Sequence, residues 1–173
     1  MDLKEKALRV RLLLLDVDGV LTDGRLYYTS KGEEIKVFHV RDGLGIKLAQ
    51  KAGLRVGVIS GRRSNALLNR LEELKIEEVH LGYNHKLPLL EDMLKRLSLS
   101  FEETAFIGDD YVDLPLLKRV GFPVLVADAP KELKKYALYT TSARGGEGAV
   151  REAIEFLLKL REQWEEVIRD YHA

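Results

Sequence analysis

One short stretch near the N-terminus limits the possible folds of this chain more than any other. Four consecutive leucines, Leu12–Leu15, are followed at once by Asp16 and, two positions later, by Asp18. An uninterrupted apolar run is typical of a strand that is buried on both faces, as in a parallel sheet. The two carboxylates then lie where the strand leaves the sheet, which is where open α/β sheets bind ligands. The stretch predicts a buried strand over residues 9–16 with a polar site at its carboxyl end.

The rest of the chain alternates strand-like and helix-like segments, which favours a parallel sheet covered by helices on both faces. The 173 residues show no linker and no internal repeat, so we expect a single domain, 1–173. Further strands are expected at residues 54–59, 78–81, 104–107, 124–127 and 138–140. After a short amphipathic lead-in at residues 2–8, helices are expected at residues 44–52, 64–75, from 86, at 112–119 and from 149 to about 169.

Residues 25–40 differ from the rest, because two strand-favouring segments flank a turn at residues 30–32. This pattern predicts a β-hairpin that ends at residues 41–43. Both arms carry large apolar side chains, and an isolated hairpin is only marginally stable. Two interpretations stay open: the hairpin folds against its own domain, or it pairs with copies from other subunits, since exposed strands and apolar patches promote association.

The composition excludes several classes of protein. Lys plus Arg and Asp plus Glu both number 28, so no net charge points to a nucleic-acid or membrane partner. The absence of Cys excludes disulfides, thiolate metal sites and cysteine catalysis, and it fits a cytoplasmic location. The four His residues lack metal-binding spacing, and the charged first ten residues lack the apolar core of a signal peptide.

Polar side chains recur at the predicted strand ends. They are Asp16 and Asp18, then Ser60, then Lys86, and then Asp109 with Asp110 and Asp113. Because the carboxyl ends of parallel strands share one edge of a sheet, we expect these side chains to converge. Clustered carboxylates without His or Cys suit a hard cation, most plausibly Mg²⁺. An ammonium and a hydroxyl group beside that cation suit a phosphoryl group.

The stretch D-V-D-G-V-L-T-D-G at residues 16–24, followed by Ser60, Lys86 and Asp109, resembles the motif set of the haloacid dehalogenase-like superfamily. The resemblance implies a Rossmann-like phosphohydrolase in which Asp16 is the nucleophile that forms an aspartyl-phosphate. It also implies that Asp18 is the general acid and base.

The same resemblance implies the remaining roles at the site. Ser60 and Lys86 are expected to bind phosphate. Asp16, Asp18 and Asp109 are expected to hold the metal ion, with Asp110 or Asp113 in support.

No large cap domain fits in the chain, and the only insert is the hairpin. This capless form, with R-D-G-x-G at 41–45, S-G-R at 60–62 and G-G-x-G-A-V-R-E at 145–152, resembles the 3-deoxy-D-manno-octulosonate 8-phosphate phosphatases. That family implies a magnesium-dependent homotetramer joined through the hairpins, acting in lipopolysaccharide precursor synthesis. Its substrate is a phosphorylated sugar acid, whose carboxylate gives Arg62 or Arg41 an anion to bind.

The sequence leaves three alternatives to this function to be weighed. The same module resembles phosphatases of nine-carbon sugar acids, so the sugar is less defined than the chemistry. A receiver-type signalling domain also uses acids, a hydroxyl and a lysine around a phospho-aspartate, although the spacing and order of Asp16, Ser60, Lys86 and Asp109 argue against it. The intact acid set argues against a catalytically silent protein of the same fold.

Overall fold

The computed structural model describes residues 1–173 and confirms the predicted α/β architecture. Eight strands are present: β1 (Leu12–Leu15), β2 (Tyr27–Tyr28), β3 (Glu34–Ile35), β4 (Arg55–Ser60), β5 (Glu78–Leu81), β6 (Thr104–Gly108), β7 (Phe122–Leu125) and β8 (Tyr139–Thr140). Six of them form a parallel sheet in the order β5-β4-β1-β6-β7-β8. All the carboxyl ends of these strands therefore lie on one edge.

Helices connect these strands and cover the sheet. They are α1 (Leu3–Arg9), α2 (Val40–Lys51), α3 (Asn65–Glu73), α4 (Lys86–Leu97), α5 (Leu114–Leu117), α6 (Ala149–Leu160) and α7 (Trp164–Ile168). Helix α2 packs mainly against α6, and α4 contacts α5. None of the helices combines the length and the apolar composition that crossing a membrane would require.

The strand β1 is the centre of the core. Its four leucines are buried, and β1 is hydrogen-bonded between β4 and β6, with Leu15 opposite Val58 on one side and Ile107 on the other. Burying one leucine side chain is worth about 1.5–3 kcal/mol, so this strand is a strong anchor for the sheet. Asp16 follows it directly and starts at a fixed position on the sheet edge.

The predicted hairpin is present, but its strands are short. Strands β2 and β3 pair antiparallel, with Tyr27 opposite Ile35. The prediction that strand continues to residue 40 and that a helix starts at 44 is wrong, because α2 begins at Val40. The cause is a cap that the residue types did not reveal: the Nδ1 atom of His39 accepts the N–H of Arg41. Residues 41–43 therefore lie in the first turns of a helix.

Two other helices differ from the prediction. The expected helix at 112–119 is a 3₁₀ turn, Tyr111–Asp113, followed by the single turn of α5. The expected helix from 149 to about 169 is interrupted between α6 and α7, where Glu162 has a φ of 58°. Arg161 explains the break, because its guanidinium donates hydrogen bonds to the carbonyls of Ala7 and Val10 and so joins the C-terminal segment to the end of α1.

Candidate active site

Three buried or half-buried carboxylates meet at the carboxyl edge of the sheet. Asp16 follows β1, Asp109 follows β6, and Asp113 ends the 3₁₀ turn beyond it. One oxygen from each of the three lies within 4.8 Å of the others. The backbone N–H of Asp109 donates to Asp113 Oδ2 at 3.0 Å, which fixes the third acid against the second. Two strand ends and one tight turn thus bring together three of the acids that the sequence predicted to converge.

Lys86, the first residue of α4, lies against this cluster. Its Nζ is 3.0 Å from Asp16 Oδ2 and 2.7 Å from Asp113 Oδ1. Only 5% of the residue is exposed. Burial opposes its charge, but the carboxylates of Asp16 and Asp113 outweigh burial and raise the pKa of Lys86. The lysine is therefore a fixed cation between two acids, and one of these acids follows the central strand.

If all three acids were ionised, the cluster would carry more negative charge than Lys86 neutralises, and this repulsion acts on their pKa values. Burial and the carboxylate of Asp113 raise the pKa of Asp16 to about 7, although Lys86 acts in the opposite direction. Burial, followed by Asp16 and Asp113, raises the pKa of Asp109 to about 9. A cation among these oxygens would remove the repulsion. An all-oxygen donor set without nitrogen or sulfur fits a hard divalent cation such as Mg²⁺.

The loop after Asp16 is shaped by a glycine and a threonine. Gly19 has a φ of 85°, and a Cβ atom at this position would overlap Asp109 Oδ2. Only glycine therefore lets the loop approach Asp109 so closely. The Oγ1 atom of Thr22 accepts the N–H groups of Gly19 and Gly24, both at 3.2 Å. These contacts hold the chain in a tight turn around the acids.

A second loop, residues 145–148, supports the first from behind. A Cβ atom at Gly145 would overlap the carbonyl oxygen of Gly19, and the N–H of Gly146 donates to the carbonyl of Val20 at 3.0 Å. The N–H of Gly145 also donates to Asp128 Oδ1 at 3.0 Å. The glycine-rich sequence before α6 thus permits direct backbone contact between the two loops.

Asp18 lies outside the three-acid cluster and pairs with a residue of the hairpin. Its Oδ1 is 2.6 Å from the Nζ of Lys36, which is also 3.0 Å from Glu34 Oε1. The Lys36 side chain is only 3% exposed, whereas a quarter of the Asp18 side chain is exposed. The hairpin therefore contributes a buried cation to the edge of the site.

Ser60 and Arg62 occupy the end of the neighbouring strand. Ser60 is the last residue of β4, is buried, and accepts the N–H of Arg62 through its Oγ at 3.2 Å. The Arg62 guanidinium donates to the Tyr28 hydroxyl at 3.2 Å and is 3.4 Å from Glu34 Oε1. Ser60 thus lies on the predicted edge, and Arg62 extends towards the hairpin.

Asp18, which the sequence-based set included among the metal ligands, is not one of the three clustered acids, and two further residues of that set also lie apart from them. Arg41 is exposed and lines a groove with Glu147, Arg151 and Glu155, which none of the three clustered acids lines. Asp110 is also exposed, and its carboxylate caps the 3₁₀ turn by accepting the N–H of Tyr111. Of the two acids proposed to support Asp109, the structure brings only Asp113 into the cluster.

Sequence reasoning missed Lys36 and Thr22. The sequence analysis gave Lys36 no role, and the alternation of Glu34 and Lys36 with Ile35 and Val37 was the signal that could have revealed it. In a strand this spacing places the charged pair on one side and the apolar pair on the other. The role of Thr22 in accepting two backbone N–H groups depends on the geometry of the turn, which the sequence does not show.

The sequence is similar to those of known phosphatases. The profile of the haloacid dehalogenase-like hydrolases matches residues 84–154, which include Lys86 and all the acids from Asp109 to Asp113. The chain is 43% identical to the 3-deoxy-D-manno-octulosonate 8-phosphate phosphatase of Escherichia coli K12 over 157 residues, covering 91% of this chain and 84% of that protein. The enzyme of the same name from Haemophilus influenzae is also 43% identical, over 91% of this chain and 87% of its own length.

Solved structures of phosphatases with the same name are also similar to this chain. The 3-deoxy-D-manno-octulosonate 8-phosphate phosphatase of Moraxella catarrhalis, determined in complex with magnesium ion, phosphate ion and a KDO molecule, superposes with a TM-score of 0.94 at 35% identity over 97% of both chains. The cobalt-bound form of the Haemophilus influenzae enzyme gives 0.88 at 43% identity, covering 92% of this chain and 93% of that one.

Proposed function

The chain belongs to the haloacid dehalogenase-like hydrolases, among the 3-deoxy-D-manno-octulosonate 8-phosphate phosphatases, and from that premise we propose that it hydrolyses this sugar phosphate through an aspartyl-phosphate on Asp16. Membership of this family makes the chain a phosphoric monoester hydrolase and removes the receiver-type alternative.

One observation carries the proposal. A buried lysine and three acids lie together at the carboxyl edge of the sheet. Asp16 is the acid directly after β1, and Lys86 holds one of its oxygens at 3.0 Å. The lysine fixes the carboxylate rotamer before substrate arrives, which lowers the entropic cost of reaching the attacking geometry. Asp109 and Asp113 complete the oxygen set for Mg²⁺. When bound, Mg²⁺ would neutralise the charge on the phosphoryl oxygens and on the acids.

In the first step, an Asp16 oxygen forms a bond to phosphorus while the bond from phosphorus to the sugar oxygen breaks. The ammonium of Lys86 and the hydroxyl of Ser60 stabilise negative charge on the transferring phosphoryl group. Asp18, two residues beyond the nucleophile, gives its proton to the departing alkoxide. This proton is needed because an alkoxide is a poor leaving group.

In the second step, water replaces Asp16 on phosphorus. Asp18, now ionised, takes a proton from the attacking water as the new P–O bond forms and the acyl-phosphate bond breaks. Phosphate leaves, and both carboxyl groups return to their starting states. The same side chain thus acts first as acid and then as base, which explains why its position must be controlled.

The substrate assignment is tested with a panel of phosphate esters. Eight- and nine-carbon sugar acid phosphates are compared with neutral hexose phosphates, and kcat/KM is measured for each. We expect the eight-carbon acid to be preferred, in line with the named relatives. Preference for the nine-carbon acid would change the sugar but keep the chemistry, and preference for neutral hexoses would contradict the assignment.

The metal requirement has a separate test. Removing divalent ions with a chelator should abolish hydrolysis, and adding Mg²⁺ back should restore it. A matched sample with the chelator saturated by Ca²⁺ beforehand would show whether the chelator itself inhibits. Unchanged rates without any divalent ion would contradict the metal assignment.

We further propose that the hairpin joins copies of this chain into a homotetramer. Large apolar side chains on the hairpin and at the start of α2 are about half to more than three-quarters exposed, which is costly unless a partner covers them. They are Leu26, Tyr28, Ile35, Val37 and Val40, at 49–78% exposure. A cytoplasmic location and a role in lipopolysaccharide precursor synthesis stay predictions of the same resemblance.

The assembly is tested by charge substitution at one exposed position. Val37→Glu should yield smaller particles in sedimentation, because four copies of the charge would be buried together. Leu8→Glu, on α1 at 52% exposure against 55% for Val37, is the matched control and should leave the assembly intact. Removing residues 26–39 should have the same effect as Val37→Glu. Unchanged particle size in both hairpin variants would contradict the proposed interface.

A further inference from the structure

In residues 34–37 of the hairpin, the apolar side chains face solvent and the charged side chains face inwards, which is the reverse of the usual arrangement. Ile35 and Val37 are 49% and 55% exposed, whereas the side chains of Glu34 and Lys36 are only 15% and 3% exposed. Alternate residues of an extended segment point to opposite sides. The inward side of this arm is therefore the charged one, and it faces the acid-bearing loop after β1. Such an arrangement requires a polar partner on the inner side.

That partner is Asp18. Lys36 Nζ is 2.6 Å from Asp18 Oδ1 and 3.0 Å from Glu34 Oε1, so the buried ammonium lies between two carboxylates. A buried ammonium without such partners would be strongly unfavourable. The second carboxylate, Glu34, is in turn 3.4 Å from the guanidinium of Arg62. The chain of charges links the ends of β1 and β4 through the hairpin and restrains Lys36 from both sides.

We infer that Lys36 is a positioning residue that orients the proton-transferring carboxylate of Asp18. The ammonium holds Oδ1, and no protein group donates a hydrogen bond to Oδ2. A quarter of the Asp18 side chain stays exposed. With Oδ1 held by Lys36, we assign the contact with a reactant to Oδ2. This inference rests on the proposed function, because it assigns a partner to the acid and base of that reaction.

The inference specifies which oxygen transfers the proton. Asp18 carries the proton on Oδ2 and gives it to the ester oxygen as the bond between phosphorus and that oxygen breaks. In the second step, Oδ2 takes a proton from water as water bonds to phosphorus. Lys36 transfers no proton in either step of this scheme, and its role is to hold Oδ1 of Asp18. It is absent from the motifs that define the site, since it is contributed by the insert.

A leaving-group comparison separates this role from a structural one. Lys36→Met keeps the length of the side chain and removes the charge. Departure of a sugar alkoxide needs the proton from Asp18, whereas p-nitrophenolate leaves without it. We expect kcat/KM, which reports the steps up to departure of the leaving group, to fall about 10²-fold for the sugar phosphate and less than about 5-fold for p-nitrophenyl phosphate. Inhibition by inorganic phosphate should be unchanged.

Two further variants complete the design. Lys31→Met removes an exposed lysine from the turn of the same hairpin and should behave as wild type. If Lys36→Met fails to fold, Lys36→Arg, which keeps but displaces the charge, replaces it and should show a smaller loss with the same bias. Equal losses on the two esters, or a rise in KM alone, would overturn the inference.

The wild-type assay distinguishes failure of this inference from failure of the proposed function. If wild type hydrolyses p-nitrophenyl phosphate and some other sugar phosphate but not the eight-carbon acid, only the substrate assignment fails, and the comparison proceeds with the accepted sugar. If wild type hydrolyses no phosphate ester, the proposed function fails and takes the role of Lys36 with it. If wild type is active and Lys36→Met shows no bias, only the role of Lys36 fails.

Discussion

The sheet edge and the hairpin contribute to the same site in opposite ways. At the sheet edge, Asp16 and Lys86 are held by a buried strand and by the start of a twelve-residue helix, and both are almost fully covered. The hairpin has two-residue strands and exposes its apolar side chains, yet it contains the buried Lys36. Rigid elements thus fix the proposed nucleophile, whereas a marginal insert reaches the acid that is proposed to transfer protons. We therefore expect activity to respond to changes of a few atoms at the sheet edge, and to the loss of contacts between subunits at the hairpin.

The largest effect is expected at the edge itself. Asp16→Asn removes the proposed nucleophile but keeps the shape of the side chain, so kcat should fall by at least about 10³-fold. The melting temperature should change little, because the substitution removes like-charge repulsion with Asp113 as well as the ion pair with Lys86. Retained activity would show that another group attacks phosphorus.

A smaller effect should separate two neighbouring acids. Asp113→Asn weakens the buried contact with Lys86, and we expect a loss of about 10²-fold in kcat/KM. Asp110→Asn is the matched control, since Asn also caps helical turns and this residue is exposed. Its kcat/KM should stay within about threefold of wild type. The reverse order would move the supporting role to Asp110.

Replacing one glycine at the sheet edge and one in the hairpin by alanine compares how crowded the two regions are. Gly145→Ala should cost about 1–3 kcal/mol of unfolding free energy and about tenfold in activity, because the new methyl group would push the loop that carries Gly19. In the hairpin, Gly32 has nothing within 4 Å of its would-be Cβ, and only its φ of 80° opposes substitution. Gly32→Ala should cost about 1 kcal/mol and leave activity unchanged. Chemical denaturation and steady-state kinetics measure both, and equal effects would contradict the crowded-edge description.

The smallest expected effect is a pH dependence of stability without metal ions. The folded pKa values of Asp16 and Asp109, about 7 and about 9, lie above their ordinary value, so the folded state binds protons more tightly than the unfolded state. The stability from these groups is fully present only below their ordinary pKa of 3.8 and is lost as the pH rises through the folded values of about 7 and about 9. Thermal melts in chelator should thus show the melting temperature falling by several degrees from about pH 5 to about pH 9.

Asp109→Asn is the matched variant for this experiment, and its melting temperature should fall less over the same range. Added Mg²⁺ should stabilise the wild type more at high than at low pH, because ligand carboxylates must be ionised. An equal slope in wild type and variant would contradict the assigned crowding of the acids.

The sequence predicted the sheet edge better than the hairpin, for a physical reason. The leucine run fixes a buried strand, so the position of Asp16 follows from local pattern, and the parallel sheet brings Asp109 beside it. The starting point of α2 depends on a hydrogen bond to one nitrogen of His39, which composition does not encode. The burial of Lys36 depends on how an insert folds back over the site, and the break after α6 depends on Arg161 reaching the end of α1.

The most direct test of the account is to capture the phosphoryl group on the enzyme. Acid quenching during turnover preserves an acyl-phosphate, and trypsin should release residues 12–25 as one fragment that contains Asp16 and Asp18. Mass spectrometry should find this fragment heavier by one phosphoryl group, with the group on Asp16, and the Asp16→Asn protein should show none. Rapid turnover with no phosphorylated fragment, or with the group on another residue, would contradict the central claim.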